Sequence, residues 1–235
     1  MEFTKDFFWY GWRAGTCLPD CWCEAPRFGS MIVEPVNFWT NISYVYFGFL
    51  ILMRYKKFAN QDFLKNKDFV YLYSLALIFL GIGSGFWHMS LTFFGQWLDL
   101  FGMYLVVVFL LGHNALKLKW LNKKGFYLFY ISVNLISGVL LYYIPEFRRY
   151  LFAIFLVLTI GSTIYTNQIS MVKLNLKYFY FSLGSLAIAY FAWNLDHHKV
   201  ICHPHGWMNG HGIWHLLAGL SCYLIFKFFA SEKKS

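Results

Sequence analysis

Seven stretches of apolar residues, each long enough to cross a bilayer, recur along this chain at about 36–54, 69–91, 94–113, 126–144, 150–167, 178–195 and 209–230. Crossing ~30 Å of hydrocarbon takes ~20 mostly apolar helical residues, and in that medium every backbone polar group must be satisfied inside the structure. The pattern predicts an all-α, integral membrane bundle of seven transmembrane helices. Only 13% of the residues are charged, against roughly 25% in soluble domains, so a water-soluble fold is excluded. The spans leave no room for a second domain. Residues 1–235 read as a single membrane domain, with 1–35 as an outer N-terminal segment and about 36–230 as the bundle. The start mixes Glu2, Lys5 and Asp6 with Phe7, Phe8, Trp9, Tyr10 and Trp12. That suits an interfacial segment better than the continuous apolar run of a secretion signal.

A formal net charge of +9 raises nucleic acid as a partner, but the distribution of the charge argues against it. Assigning loops alternately to two sides gathers 14 of the 20 basic residues on one side, Arg54, Lys56, Lys57, Lys117, Lys119, Lys123, Lys124 and Lys227 among them. The other side keeps Lys5, Arg13, Arg27, Arg148, Arg149 and Lys199. By the positive-inside rule the N-terminus lies outside and the C-terminus is cytoplasmic. Cys17, Cys21, Cys23 and Cys202 all fall on the outside, where disulfides form, and Cys222 falls within the last helix. Four outer cysteines allow three complete pairings, and the sequence does not choose among them.

Glycines and small residues cluster at Gly81-Ile82-Gly83-Ser84-Gly85 and Gly184-Ser185. Inside apolar helices these read as points of close helix approach, since a phosphate loop would need a strand before it. His113 falls at the cytoplasmic end of the third span and reads as interfacial.

One acidic residue, Asp99, lies inside a strongly apolar segment. A carboxylate there costs ~2.5–3.5 kcal/mol on insertion scales and marks a functional site. At the same predicted depth lie His88, near the outer end of the second span, and His211 and His215, near the outer end of the seventh. A spacing of four residues puts the last two imidazoles on one helix face, as two ligands of a single metal require. Three imidazoles suit zinc and leave a fourth position for water or substrate. Zinc lowers the pKa of its water to about 7. Asp99 is placed to accept that water's proton, and Ser84, one turn before His88, to donate a hydrogen bond to an oxyanion. His197, His198, His203 and His205 crowd the loop after the sixth span and read as solvated.

The chain resembles the alkaline ceramidase family, part of the CREST group of seven-helix membrane hydrolases. The matching pieces are Cys23-Glu24, then Glu34-Pro35-Val36-Asn37 with Asn41 and Ser43, then Gly83-Ser84-Gly85-Phe86-Trp87-His88, Gln96-Trp97-Leu98-Asp99 and His211-Gly212-Ile213-Trp214-His215. The resemblance implies zinc on His88, His211 and His215, Ser84 and Asp99 beside the catalytic water, and hydrolysis of ceramide, drawn from the bilayer, to a sphingoid base and a fatty acid. It implies a Cys23–Cys202 disulfide. It also implies a calcium ion near the N-terminus, for which Asp20, Trp22, Glu24 and Glu34 are the candidate ligands. Pro26, however, stands where the family would place an asparagine ligand, and the spacing around Asp20 differs. Two other readings compete: a zinc-dependent hydrolase of lipid acyl esters, and a seven-helix receptor or sensor with a structural zinc.

Overall fold

The computed structural model describes residues 5, 7–18, 21–55, 67–169 and 174–231. It is all-helical apart from one isolated bridge between Ala14 and Thr92. In chain order the helices are α1 (Pro35–Thr40), α2 (Ile42–Arg54), α3 (Lys67–Ser90), α4 (Phe93–Lys117), α5 (Lys123–Tyr143), α6 (Arg148–Ile169), α7 (Leu176–His197) and α8 (Gly210–Phe229), with a 3-10 turn, Pro145–Phe147, between α5 and α6. α1 and α2 form one span, broken for a single residue at Asn41. Proline at the first turn of α1 costs that helix nothing, because the missing N–H has no partner there in any case.

Six spans carry the length and hydropathy to cross a membrane: Pro35–Arg54, α3, α4, α5, Pro145–Ile169 and α8. α7 also runs for 22 residues, about 33 Å at 1.5 Å per residue, but its tyrosines, Ser182, Ser185 and Asn194 make it more polar. The serines face α8. Ser182 and Ser221 exchange hydrogen bonds with each other's carbonyls at 2.9 Å, and the Ser185 hydroxyl donates to the Leu217 carbonyl at 2.7 Å. Polar groups of this kind hold helices together where lipid offers no hydrophobic drive. The lipid-facing surface is apolar, with Ile82, Leu128, Ile136, Val157 and Ile188 exposed. The chain is a multi-pass integral membrane protein.

Close approach of α3 and α4 rests on glycine. A Cβ on Gly83 would stand 2.9 Å from the Leu98 carbonyl oxygen, and one on Gly102 would stand 2.7 Å from the Leu80 Cα. Gly184 departs from expectation: a Cβ there meets open space, so it is Ser185 that brings α7 to α8. His113 departs as well. It is buried, edge-on to Phe229 and stacked beyond Phe109, within the aromatic core around Phe69, Tyr73 and Phe126 that closes one end of the bundle.

At the opposite end the N-terminal segment forms a cap. Phe7, Val33, Trp87 and Leu91 make a small second core. Backbone bonds from Gly15 to Leu91, Phe93 to Arg13, Val33 to Met89 and Glu34 to His88 stitch the segment onto the turn between α3 and α4. Leu91 holds a left-handed backbone, φ 49°, at that turn, fully buried and tied by the Gly15 N–H. Cys17 pairs with Cys21, and Cys23 pairs with Cys202. The second bond joins the cap to the loop between α7 and α8, and Cys222 is free.

Candidate metal centre

His88 sits in the last turn of α3, and His211 and His215 sit in the first two turns of α8. α8 begins where it does because Asn209 caps it, its side-chain oxygen accepting from the Gly212 N–H at 2.6 Å. All three histidines are buried, and each offers a ring nitrogen within 4.8 Å of the others. The Nε2 atoms of His88 and His211 are 3.1 Å apart.

Each ring is oriented by a different device. His88 Nδ1 lies 2.6 Å from Glu34 Oε2. The carboxylate accepts a hydrogen bond from Nδ1–H, which leaves Nε2 with its lone pair facing the other two rings. His215 Nδ1 lies 2.9 Å from Thr40 Oγ1. The Thr40 hydroxyl donates onward to the Val36 carbonyl at 2.9 Å, so it accepts from His215, and again Nε2 is left free. The Ser43 hydroxyl donates to the His215 carbonyl at 2.7 Å. His211 stacks on Trp22, with ring centres 3.8 Å apart, and its backbone N–H donates to Asp196 at 3.1 Å. The other Asp196 oxygen accepts from the Cys23 N–H at 2.9 Å, which ties the disulfide-bonded cap to a ring-bearing helix.

Neutral imidazoles with two tautomers fixed and their free nitrogens converging fit a divalent metal of the zinc type. Glu34, at hydrogen-bonding distance from His88 Nδ1, supports the first of them. In Glu34→Gln the bond to His88 weakens, and metal affinity is expected to fall about 10–100-fold. Titration with a competing chelator measures it.

Ser84 is buried one turn before His88, within hydrogen-bonding reach of the Asp99 carboxylate. Asp99, His211 and His215 line one cavity of about 560 Å³, together with Tyr44, Trp22 and Gln96. Below it a narrower apolar cavity of about 100 Å³ runs on between the helices past Val106, Leu110, Ile160 and Ile225. The two share Tyr44, Leu80, Met103 and Trp214 in their walls.

The candidate calcium ligands among the described residues have protein partners. Among the described residues the His88, His211 and His215 group is the one set of three or more histidine, cysteine or acidic side chains close enough together to hold a metal. Glu34 lies against His88, as above. Glu24 caps α1, accepting from the Val36 and Asn37 N–H groups at 2.8 and 2.9 Å. Burial raises its carboxyl pKa, and those two bonds oppose the rise. Trp22 supplies the stack under His211, and Asp20 lies outside the described residues. Thr40, Asp196 and Trp22 as partners of the histidines are not legible in the sequence. A polar residue one turn into the first span, such as Thr40, is the only signal of the kind.

Comparison with known proteins agrees with this geometry. A family model described as Ceramidase matches residues 20–233. Human alkaline ceramidase 1 is 29% identical over 79 residues, which is 33% of this chain and 28% of the human protein. The match to this relative thus spans less than a third of its length. With all of the histidines and Asp99 inside the range of the family model, the chain belongs to the ceramidase family.

Proposed function

We propose that the protein is a zinc-dependent amidase that hydrolyses ceramide, or a closely related N-acyl sphingoid lipid, to a sphingoid base and a fatty acid. The reading is carried by one juxtaposition: three convergent imidazole nitrogens, two of them, on His211 and His215, sharing with the Asp99 carboxylate the wall of a cavity that adjoins a narrower apolar one. His88, His211 and His215 would hold the ion. When bound, it supplies a Lewis acid for the acyl carbonyl and acidifies a water.

The other steps belong to side chains. Asp99 accepts the proton of the attacking water and returns it to the leaving nitrogen. Ser84 has one proton to give. Donated to Asp99 it orients the carboxylate, and once Asp99 is protonated the hydroxyl is released to the developing oxyanion. The channel past Val106 and Ile225 takes an acyl chain, with the apolar residues excluding water from it. We also infer that the end bearing the histidines faces away from the cytoplasm. Both disulfides lie at that end, whereas Arg54, Lys117, Lys123 and Lys124 lie at the other.

Purified protein assayed against ceramide and matched phospholipids tests the substrate class. Release of fatty acid from ceramide with little from the phospholipids is expected, and exclusive ester cleavage would reject the amidase reading in favour of an acyl-ester hydrolase.

A further inference from the structure

The cavity that holds Asp99 has a second polar side chain on the same helix, and the chemistry above does not use it. Gln96 lies on α4 one turn before Asp99, and both line that cavity. Gln96 is buried, 6% exposed. Its Oε1 accepts two hydrogen bonds from a single residue of the cap, from the Thr16 N–H at 3.1 Å and from the Thr16 hydroxyl at 2.9 Å.

Those two bonds decide which way the amide points. A backbone N–H has only a proton to offer, so the atom that faces it is the oxygen, and the side chain is held against a flip. The NH2 group is thereby turned away from the cap. Among the described residues no oxygen accepts from it. Unlike the Trp22 indole nitrogen, it is not walled off from open space, and the space beside Gln96 is the cavity. The neutral amide across the cavity, Asn194, has its nitrogen on its own helix instead, donating to the Tyr190 carbonyl at 2.7 Å.

We propose that Gln96 is a specificity-determining residue that donates from its NH2 group to a hydroxyl oxygen on the polar head of the lipid, on a carbon beside the one that bears the amide nitrogen. The proposal rests on reading the cavity as the ceramide site and deepens it. α4 starts under the cap, so Gln96 stands about 4.5 Å nearer the cap than Asp99 along the helix. With the acyl chain in the apolar cavity and the amide beside Asp99 and the histidines, the head lies on the cap side, where that donor waits. A neutral donor suits a neutral hydroxyl. A lipid without the hydroxyl leaves the buried N–H unpaired, and a site built this way rejects it. Thr16 acts through Gln96 as a positioning residue.

The test compares N-octanoyl sphingosine with its 1-deoxy and 3-deoxy analogues, which lack one or the other hydroxyl next to the nitrogen-bearing carbon. In the unaltered protein kcat/KM is expected to favour the full lipid about tenfold over at least one analogue. In Gln96→Met that ratio is expected to fall to about one. Gln96→Glu keeps an oxygen for Thr16 and replaces the donor with an acceptor, so it should lose the ratio with its melting temperature little changed. A merely structural role would slow all three lipids alike and preserve the ratio. A ratio that survives both variants overturns the proposal, and so does the absence of any preference in the unaltered protein. Binding of N-octyl sphingosine, in which a methylene replaces the carbonyl and hydrolysis is impossible, separates this from the amidase reading. Calorimetry in an uncharged detergent should show the same hydroxyl preference, again lost in both variants. Hydroxyl-selective binding without hydrolysis of any ceramide would sink the amidase and leave Gln96 in its role, while hydrolysis of all three lipids at one rate would do the reverse.

Discussion

Alanine in place of His88, His211 or His215 is expected to bring ceramide hydrolysis to background and to leave the purified protein without stoichiometric metal. Among the described residues three imidazoles form the ligand set, and the loss of one leaves two. Replacing His88 or His215 also leaves a partner stranded. Glu34 loses the ring at 2.6 Å, and Thr40 loses the one at 2.9 Å. Such unpaired buried groups destabilise the fold, so metal content and melting temperature are measured together with turnover. Folded, metal-loaded and active His88→Ala protein would remove that histidine from the site.

Asp99→Asn is expected to separate binding from chemistry. The amide keeps the shape of the side chain and the bond from Ser84 but accepts no proton at neutral pH. Metal should stay bound while kcat falls about 10²–10⁴-fold, the usual contribution of a positioned general base. A single-turnover assay on zinc-loaded protein reads this directly. Undiminished hydrolysis in the variant would count decisively against Asp99 as the base.

Much of this arrangement was legible in the sequence, for identifiable reasons. Spans are written in hydropathy because hydrocarbon imposes one solution on a backbone, and the seven stretches match the helices closely. Asp99 and the histidines stood out because polar groups in such stretches are costly. The i, i+4 spacing of His211 and His215 fixes their common face within one helix. What distant segments contribute could not be read this way. Glu34 looks like an acid at a helix start, and only the fold brings it to His88, 54 residues away. Thr40 and Asp196 meet their histidine partners through the packing of α1 and α7 beside α8. The outer cysteines left three pairings open, and the cap geometry selects Cys17–Cys21 with Cys23–Cys202. Gly184 illustrates the opposite error, since a small residue in a span need not face another helix.

The proposed chemistry requires that the converging imidazoles hold a metal that the reaction needs. Metal analysis of the purified protein, paired with ceramide turnover before and after chelation, measures this most directly. One zinc per chain is expected, with hydrolysis lost on its removal and regained on its return. Full ceramide turnover by protein stripped of metal would contradict it.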